Sequence, residues 1–222
     1  MRARDLLLYS RELGWSDPPE FQDVDPAASA GTPDARPDAC TDLHSLQVFL
    51  EGCRRCRLAD KRSTIVFGEG HPDAEVMFVG EGPGADEDRT GRPFVGQAGQ
   101  LLDGMIRALG LDRRDVYIAN VVKCRPPGNR DPQDDEMGAC APFLERQVEL
   151  IRPQVIVALG RIAAQRLTGT SKPIGALRGS WTSYRGTPLL ATYHPAYLLR
   201  QPLEKRRAWD DLKLVRARLA EA

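Results

Sequence analysis

Residues 80–102 read GEGPGADEDRTGRPFVGQAGQLL, and their reading decides the fold. Just before them stands Val76-Met77-Phe78-Val79, apolar without alternation, the pattern of a strand buried on both faces. Three glycines and a proline then force a tight loop that neither helix nor strand can continue. Acidic Asp86, Glu87 and Asp88 follow, and then Arg92-Pro93-Phe94, which sets an aromatic at a stiff turn. Beyond the turn, Leu101, Leu102, Met105, Ile106 and Leu109 share one face at helical spacing. Strand, loop and helix in that order place reactive groups at the carboxyl edge of an α/β sheet. The glycines do not keep the G-x-G-x-x-G spacing of a dinucleotide site, and the Gly-Lys-Ser/Thr of a P-loop is absent. The loop instead carries Glu81, Glu87 and Phe94, too chemically loaded for a plain connection.

The alternation continues outward. Segments 65–68, 116–122, 155–160 and 189–193 read as strands, the second carrying one polar residue, Asn120. Helices are expected through Leu43, Leu46, Phe49 and Leu50, and from an Asp134 or Asp135 cap through Met137, Leu144, Val148 and Ile151. Two more run through Ala163 and Leu167, and through Trp209, Leu212, Val215 and Leu219. Strands alternating with helices predict an α/β fold, three layers (αβα) around a central, mostly parallel sheet. Residues 1–15 can form a short helix on Leu6, Leu7, Leu13 and Trp15, and the Pro/Ala/Asp-rich stretch that follows reads as a flexible linker. The expected division is an N-terminal extension over 1–41 and a folded domain over 42–222.

The 222 residues balance 31 basic against 31 acidic side chains, which hides an asymmetry. Residues 1–42 carry a net −5 and the remainder +5, a distribution that suits nucleic-acid binding without requiring it. No apolar run spans a membrane and no secretory leader is visible, so the expected compartment is the cytoplasm. In that setting five cysteines speak for metal or catalysis rather than a disulfide framework. Cys53-x2-Cys56 with Cys124 and Cys140 supplies four thiolates, enough for zinc or an iron–sulfur cluster, and spacing alone does not choose. Cys40, in polar surroundings, reads as a free thiol. His44 and His71 have no companion motif.

Four segments in order, GEGPGADEDRTGRPFVGQAGQLL, YIANVVKCRPPGNRDP, VIVALG and YHPAYLLR, closely resemble the iron–sulfur (family 4) uracil-DNA glycosylases over roughly residues 43–219. The resemblance implies a uracil-DNA glycosylase-like fold and an enzyme that flips uracil out of DNA and hydrolyses its N-glycosidic bond, leaving an abasic site. By that likeness Phe94 stacks on the extruded base. Asn120 reads its pyrimidine edge, accepting from N3–H and donating to O4, a pattern cytosine reverses. His194 donates toward O2 as charge builds there, Glu81 holds the attacking water, and the Gly82 backbone contributes to base binding. Glu87 abuts C5 and excludes the methyl of thymine. The better-known uracil glycosylases carry an aspartate where this chain has Gly82, so stabilisation of the departing anion carries more of the rate.

The resemblance further implies that Cys53, Cys56, Cys124 and Cys140 ligate a structural [4Fe–4S] cluster. Tyr197, Leu198 and Leu199 resemble the wedge that fills the gap left by the flipped nucleotide, with Arg200 and the Lys205-Arg206-Arg207 cluster beside it on phosphates. No lysine stands at an evident Schiff-base position, so a monofunctional, monomeric enzyme without strand cleavage is expected, acting on uracil-containing DNA, single- or double-stranded. Two other readings stand beside it. One is a covalently trapped relative, whose extra histidine-containing insert is missing from 125–131. The other is a metal-stabilised DNA-binding module without activity.

Overall fold

The computed structural model describes residues 37–221. The short helix expected within 1–15, and the linker as far as residue 36, lie outside them. Strands β1 (Glu69–Gly70), β2 (Val76–Gly80), β3 (Tyr117–Asn120), β4 (Val155–Leu159), β5 (Trp181–Tyr184) and β6 (Thr187–Thr192) form one sheet. Their order is β1-β3-β2-β4-β6-β5. The inner four run parallel, while β1 and β5 are antiparallel edges. The helices are α1 (Leu43–Leu50), α2 (Ala85–Thr90), α3 (Gln97–Ala108), α4 (Asp134–Ile151), α5 (Gly160–Thr168), α6 (Ile174–Leu177), α7 (Pro195–Arg200) and α8 (Lys205–Ala220).

The strand periodicity of two divides the core into two slabs. On one face Met77, Val79, Ala119, Ile156, Ala158 and Leu189 pack with Leu46, Phe143, Leu144, Val148 and Leu167 from α1, α4 and α5. On the other, Phe78, Ile118, Val155, Val157 and Leu190 meet Leu102, Ile106, Leu198, Leu212 and Val215 from α3, α7 and α8. Three layers, αβα, are therefore present as the alternation requires. Among the described residues no helix is long and apolar enough to cross a membrane.

Several details differ from the sequence reading. Segment 65–68 is not a strand: the Val66 amide donates to the Lys123 carbonyl and the Phe67 carbonyl accepts from the Gln147 side chain, without a strand ladder, and the two-residue β1 follows it. Strand β5 went unread, because its exposed face lacks an apolar rhythm; Arg185 and Gly186, both at positive φ, turn it tightly into β6. Packed structure also starts before residue 42. Pro37 and Cys40 are buried, and Arg146 of α4 donates twice to the Cys40 carbonyl, at 2.9 and 2.6 Å. Cys40 is a free thiol, but in the core rather than in polar surroundings.

Candidate active site

The carboxyl ends of the parallel strands set the site. Gly80 at the end of β2 pairs in register with Asn120 at the end of β3, and His194 follows the end of β6. A cleft of about 420 Å³ opens there. Glu81, Gly82, Glu87, Phe94, Asn120 and His194 all line it, so the expected first loop, asparagine and histidine converge. Tyr197 and Arg200 join them from α7.

Asn120 is 2 % exposed, and its side-chain oxygen is buried without a hydrogen-bond partner. An unsatisfied buried acceptor costs free energy, so this atom is set for a donor from outside the protein. The absence of a side chain at Gly80 makes the arrangement possible: a Cβ there would fall 2.5 Å from Asn120 Oδ1 and 2.6 Å from Phe94 Cζ. Behind Asn120, fully buried Lys123 donates to its carbonyl at 3.0 Å and to Gln147 Oε1 at 2.6 Å, fixing the strand end.

Phe94 is buried at the wall of the cleft and holds φ at +51°, rare for a bulky residue. Its ring stacks near His194, centroids 5.6 Å apart with planes at 29°. His194 is the N-cap of α7: the Ala196 amide donates to Nδ1 at 3.1 Å. Burial, assisted by the Arg200 charge, pushes its pKa down to about 4. The ring is therefore neutral near pH 7, and its second nitrogen carries the proton.

Glu81 behaves oppositely. Burial, reinforced by the negative charge of Asp131 and opposed by Arg161, raises its pKa to about 7, a value suited to a base at neutral pH. Glu87 is held in place by its hydrogen bonds. Its Oε1 accepts from the amides of Val95 (2.9 Å) and Gly96 (3.2 Å), and its Oε2 from that of Gly84 (3.1 Å). It thus braces the loop in addition to facing the cleft.

The expected wedge is only partly in position. Tyr197 and Arg200 are at the mouth and Leu199 is 40 % exposed, but Leu198 is 1 % exposed and packs into the core under α7. One helical turn cannot present three successive residues to one side, so Leu198 supports the mouth and does not enter DNA from this conformation. Sequence reasoning also missed the Asn129-Arg130-Asp131 wall. Arg130 is pinned by a two-pronged contact with Glu136, at 2.8 and 2.6 Å, and Asp131 pairs with Arg161. The proline-rich loop around them was the available signal.

The four cysteines gather in one region of the core. Cys53 and Cys56 pack against the core that contains Cys124 and Cys140. Cys124 lies within electrostatic range of Cys56 and Cys53, and Cys140 within range of Cys124 and Cys56. Arg62 donates to Cys124 Sγ at 3.4 Å and the Lys123 amide to Cys140 Sγ at 3.3 Å. Among the described residues, no three His, Cys, Asp or Glu side chains close around a point suited to one metal ion.

Fold and cleft together define an α/β protein with a mostly parallel sheet and a polar cleft at the carboxyl edge of that sheet. Residues 67–213 match the sequence model of the uracil DNA glycosylase superfamily. The chain is 46% identical over 184 residues to a type-4 uracil-DNA glycosylase of Sulfurisphaera tokodaii, covering 78% of this chain and 83% of that one. It is 50% identical over 153 residues to a type-4 uracil-DNA glycosylase of Thermotoga maritima, covering 68% and 80%. A type-5 uracil-DNA glycosylase of Pyrobaculum aerophilum is 34% identical over 185 residues, covering 67% and 80%. The chain belongs to the uracil DNA glycosylase superfamily and, within it, to the type-4 family.

Proposed function

We propose that this protein removes uracil from DNA by hydrolysis of the N-glycosidic bond, as a monofunctional repair glycosylase. The observation that carries the reading is the partnerless Asn120 Oδ1 beside the Phe94 ring. Uracil offers N3–H to such an acceptor, whereas cytosine offers a lone pair and leaves it unsatisfied. Phe94 supplies a face for the base once it has left the stack.

In the reaction the bond between C1′ and N1 breaks with its electron pair leaving on the base. The sugar becomes oxocarbenium-like, and negative charge gathers toward O2. Neutral His194 donates a hydrogen bond there without surrendering its proton. Deprotonated Glu81 orients a water on the sugar and takes a proton as its oxygen joins C1′. The uracil anion then takes a proton from solvent and Glu81 returns its own to solvent, which leaves uracil and an abasic site. Among the described residues no lysine lines the cleft, and Lys123 is committed to Asn120 and Gln147, which supports hydrolysis without a lyase step.

The cysteine region supplies four thiol donors, the ligand set that a [4Fe–4S] cluster takes. Donors on Cys124 and Cys140 are the usual second contacts of such sulfurs. Cys53, Cys56, Cys124 and Cys140 would hold the cluster, which supplies a structural tie between the turn before Arg57 and the loop at Pro126. The protein acts as a monomer in the cytoplasm, with uracil-containing DNA as partner. Its mouth is lined by Tyr197 and Arg200, with Leu199 beside them.

The deciding experiment incubates iron-loaded protein with a uracil-containing oligonucleotide, followed by alkali. Strand breakage at the uracil, absent with cytosine or with Asn120→Asp, is expected. An intact strand leaves the DNA-binding module, and a detergent-resistant adduct leaves the trapped relative.

A further inference from the structure

We propose that Arg113 is a positioning residue for base recognition, its guanidinium working opposite the Glu87 carboxylate to hold Phe94 as a rigid platform. The proposal rests on the uracil reading given above. Phe94 sits at φ +51°, a conformation that bulky side chains keep only where their surroundings over-determine it. Arg113 is one half of those surroundings. Its Nη1 donates to the Phe94 carbonyl at 3.2 Å, and its Nη2 donates to the Pro93 carbonyl. Glu87 is the other half, accepting from the amides of Val95 and Gly96 on the far side of the same residue. The peptide group that joins Phe94 to Val95 thus meets the cation at its carbonyl and the anion at its amide, while the one before it meets the cation alone and the one after it the anion alone.

The clamp is itself anchored. Arg113 bonds Asp103 of α3 at 2.9 Å and Glu69 of β1 at 3.3 Å, and its side chain is only 21 % exposed. Arg92 grips the same Glu69 at 2.7 and 2.8 Å, so the short edge strand β1 serves to hold a carboxylate behind the platform. Helix α3 closes the third side: a Cβ on Gly99 would fall 1.8 Å from the Phe94 carbonyl oxygen. Two carbonyls and two carboxylates around one planar cation demand the fork of an arginine, which the point charge of a lysine cannot reproduce.

Steady-state kinetics on the full, iron-loaded chain test this with Arg113→Lys, Arg113→Ala, Phe94→Ala and the double variants. Thermal unfolding, inhibition by free uracil and binding to abasic-site DNA are measured alongside. Arg113→Lys is expected to lower kcat/KM by about 10- to 100-fold, as small misplacements of a recognition group do. It should weaken inhibition by free uracil in step and leave abasic-site binding within about two-fold, with no further loss in the Phe94→Ala background. If Arg113→Ala fails to fold, Asp103→Asn gives a milder version of the same pattern without touching either carbonyl. Unchanged uracil inhibition in Arg113→Lys, or an additive loss on top of Phe94→Ala, overturns the clamp. A wild-type chain that does not excise uracil overturns the reading beneath it, and the proposal with it.

Discussion

The backbone amide of Ala196 donates to Nδ1 of His194 over 3.1 Å, which fixes the tautomer of a neutral ring. With Nδ1 occupied as an acceptor, the proton sits on Nε2, the nitrogen left for a ligand. One turn of helix therefore sets both the position and the proton of the histidine. A donor aimed at developing charge is worth most in a site shielded from water. His194→Ala is expected to lower kcat by about 10²–10³-fold with a small change in KM. Single-turnover excision under saturating enzyme measures it, and a loss confined to KM would remove the histidine from the chemical step.

In the proposed reaction Glu81 sets the pH dependence. Its carboxyl is held up to about 7 chiefly by burial, and the form that takes a proton from water is the deprotonated one. The excision rate should therefore rise as pH increases through about 7 and level off above it. His194, pushed down to about 4, stays neutral over that range and adds no second limb. Asp131 raises Glu81, so Asp131→Asn should move the limb to lower pH, and Glu81→Gln should flatten it along with most of the rate. A rate–pH profile for the three proteins decides. A limb that stays put in Asp131→Asn would show that another group sets it.

What the sequence made legible follows from how local each signal was. Strand β2, its loop and α3 are contiguous, so period and glycine content gave their order and the approach of Phe94 to the sheet edge. Asn120 was visible because a lone amide in a β-branched strand needs a partner. Helix α2 was hidden, since Ala85–Thr90 has no apolar face and reads as an acidic loop. Leu198 was misjudged because sequence cannot say which of two adjacent leucines a single helical turn buries. Arg113 stands in Asp-Arg-Arg-Asp, indistinguishable from a solvated charge run until the fold brings Pro93 and Phe94 to it.

Removing a proposed cluster ligand should act on stability before chemistry. Cys140 is buried on α4 and its thiol is pushed up to about 12 by burial, so it ionises only with a cation at hand. Cys140→Ala and Cys53→Ala are expected to lose iron, from about four atoms per chain, together with the brown visible absorption of a cluster. Unfolding temperature should fall with the iron, and excision in step with the folded fraction. Iron analysis, absorption and thermal melts measure this. A colourless wild type that binds one zinc with full activity would end the cluster assignment.

Glu87 separates two roles that one side chain performs. Its carboxylate accepts three backbone amides, from Gly84, Val95 and Gly96, and the residue lines the cleft, where the proposed reading sets its stem against C5 of the base. Glu87→Gln keeps the stem and one good acceptor, so uracil should still be excised and thymine still refused, with a loss of about 1 kcal/mol in stability. Glu87→Ala removes both. Three part-buried amides then lose a charged acceptor, which costs about 2 kcal/mol or more, and Phe94 loses half of its support. Uracil excision should fall, while the emptied corner relieves the steric barrier to a methyl group. The ratio of thymine to uracil excision from matched oligonucleotides should therefore rise in Glu87→Ala alone. A ratio that rises equally in Glu87→Gln would trace the selectivity to the charge on Glu87. A ratio unchanged in both would confine Glu87 to bracing the loop.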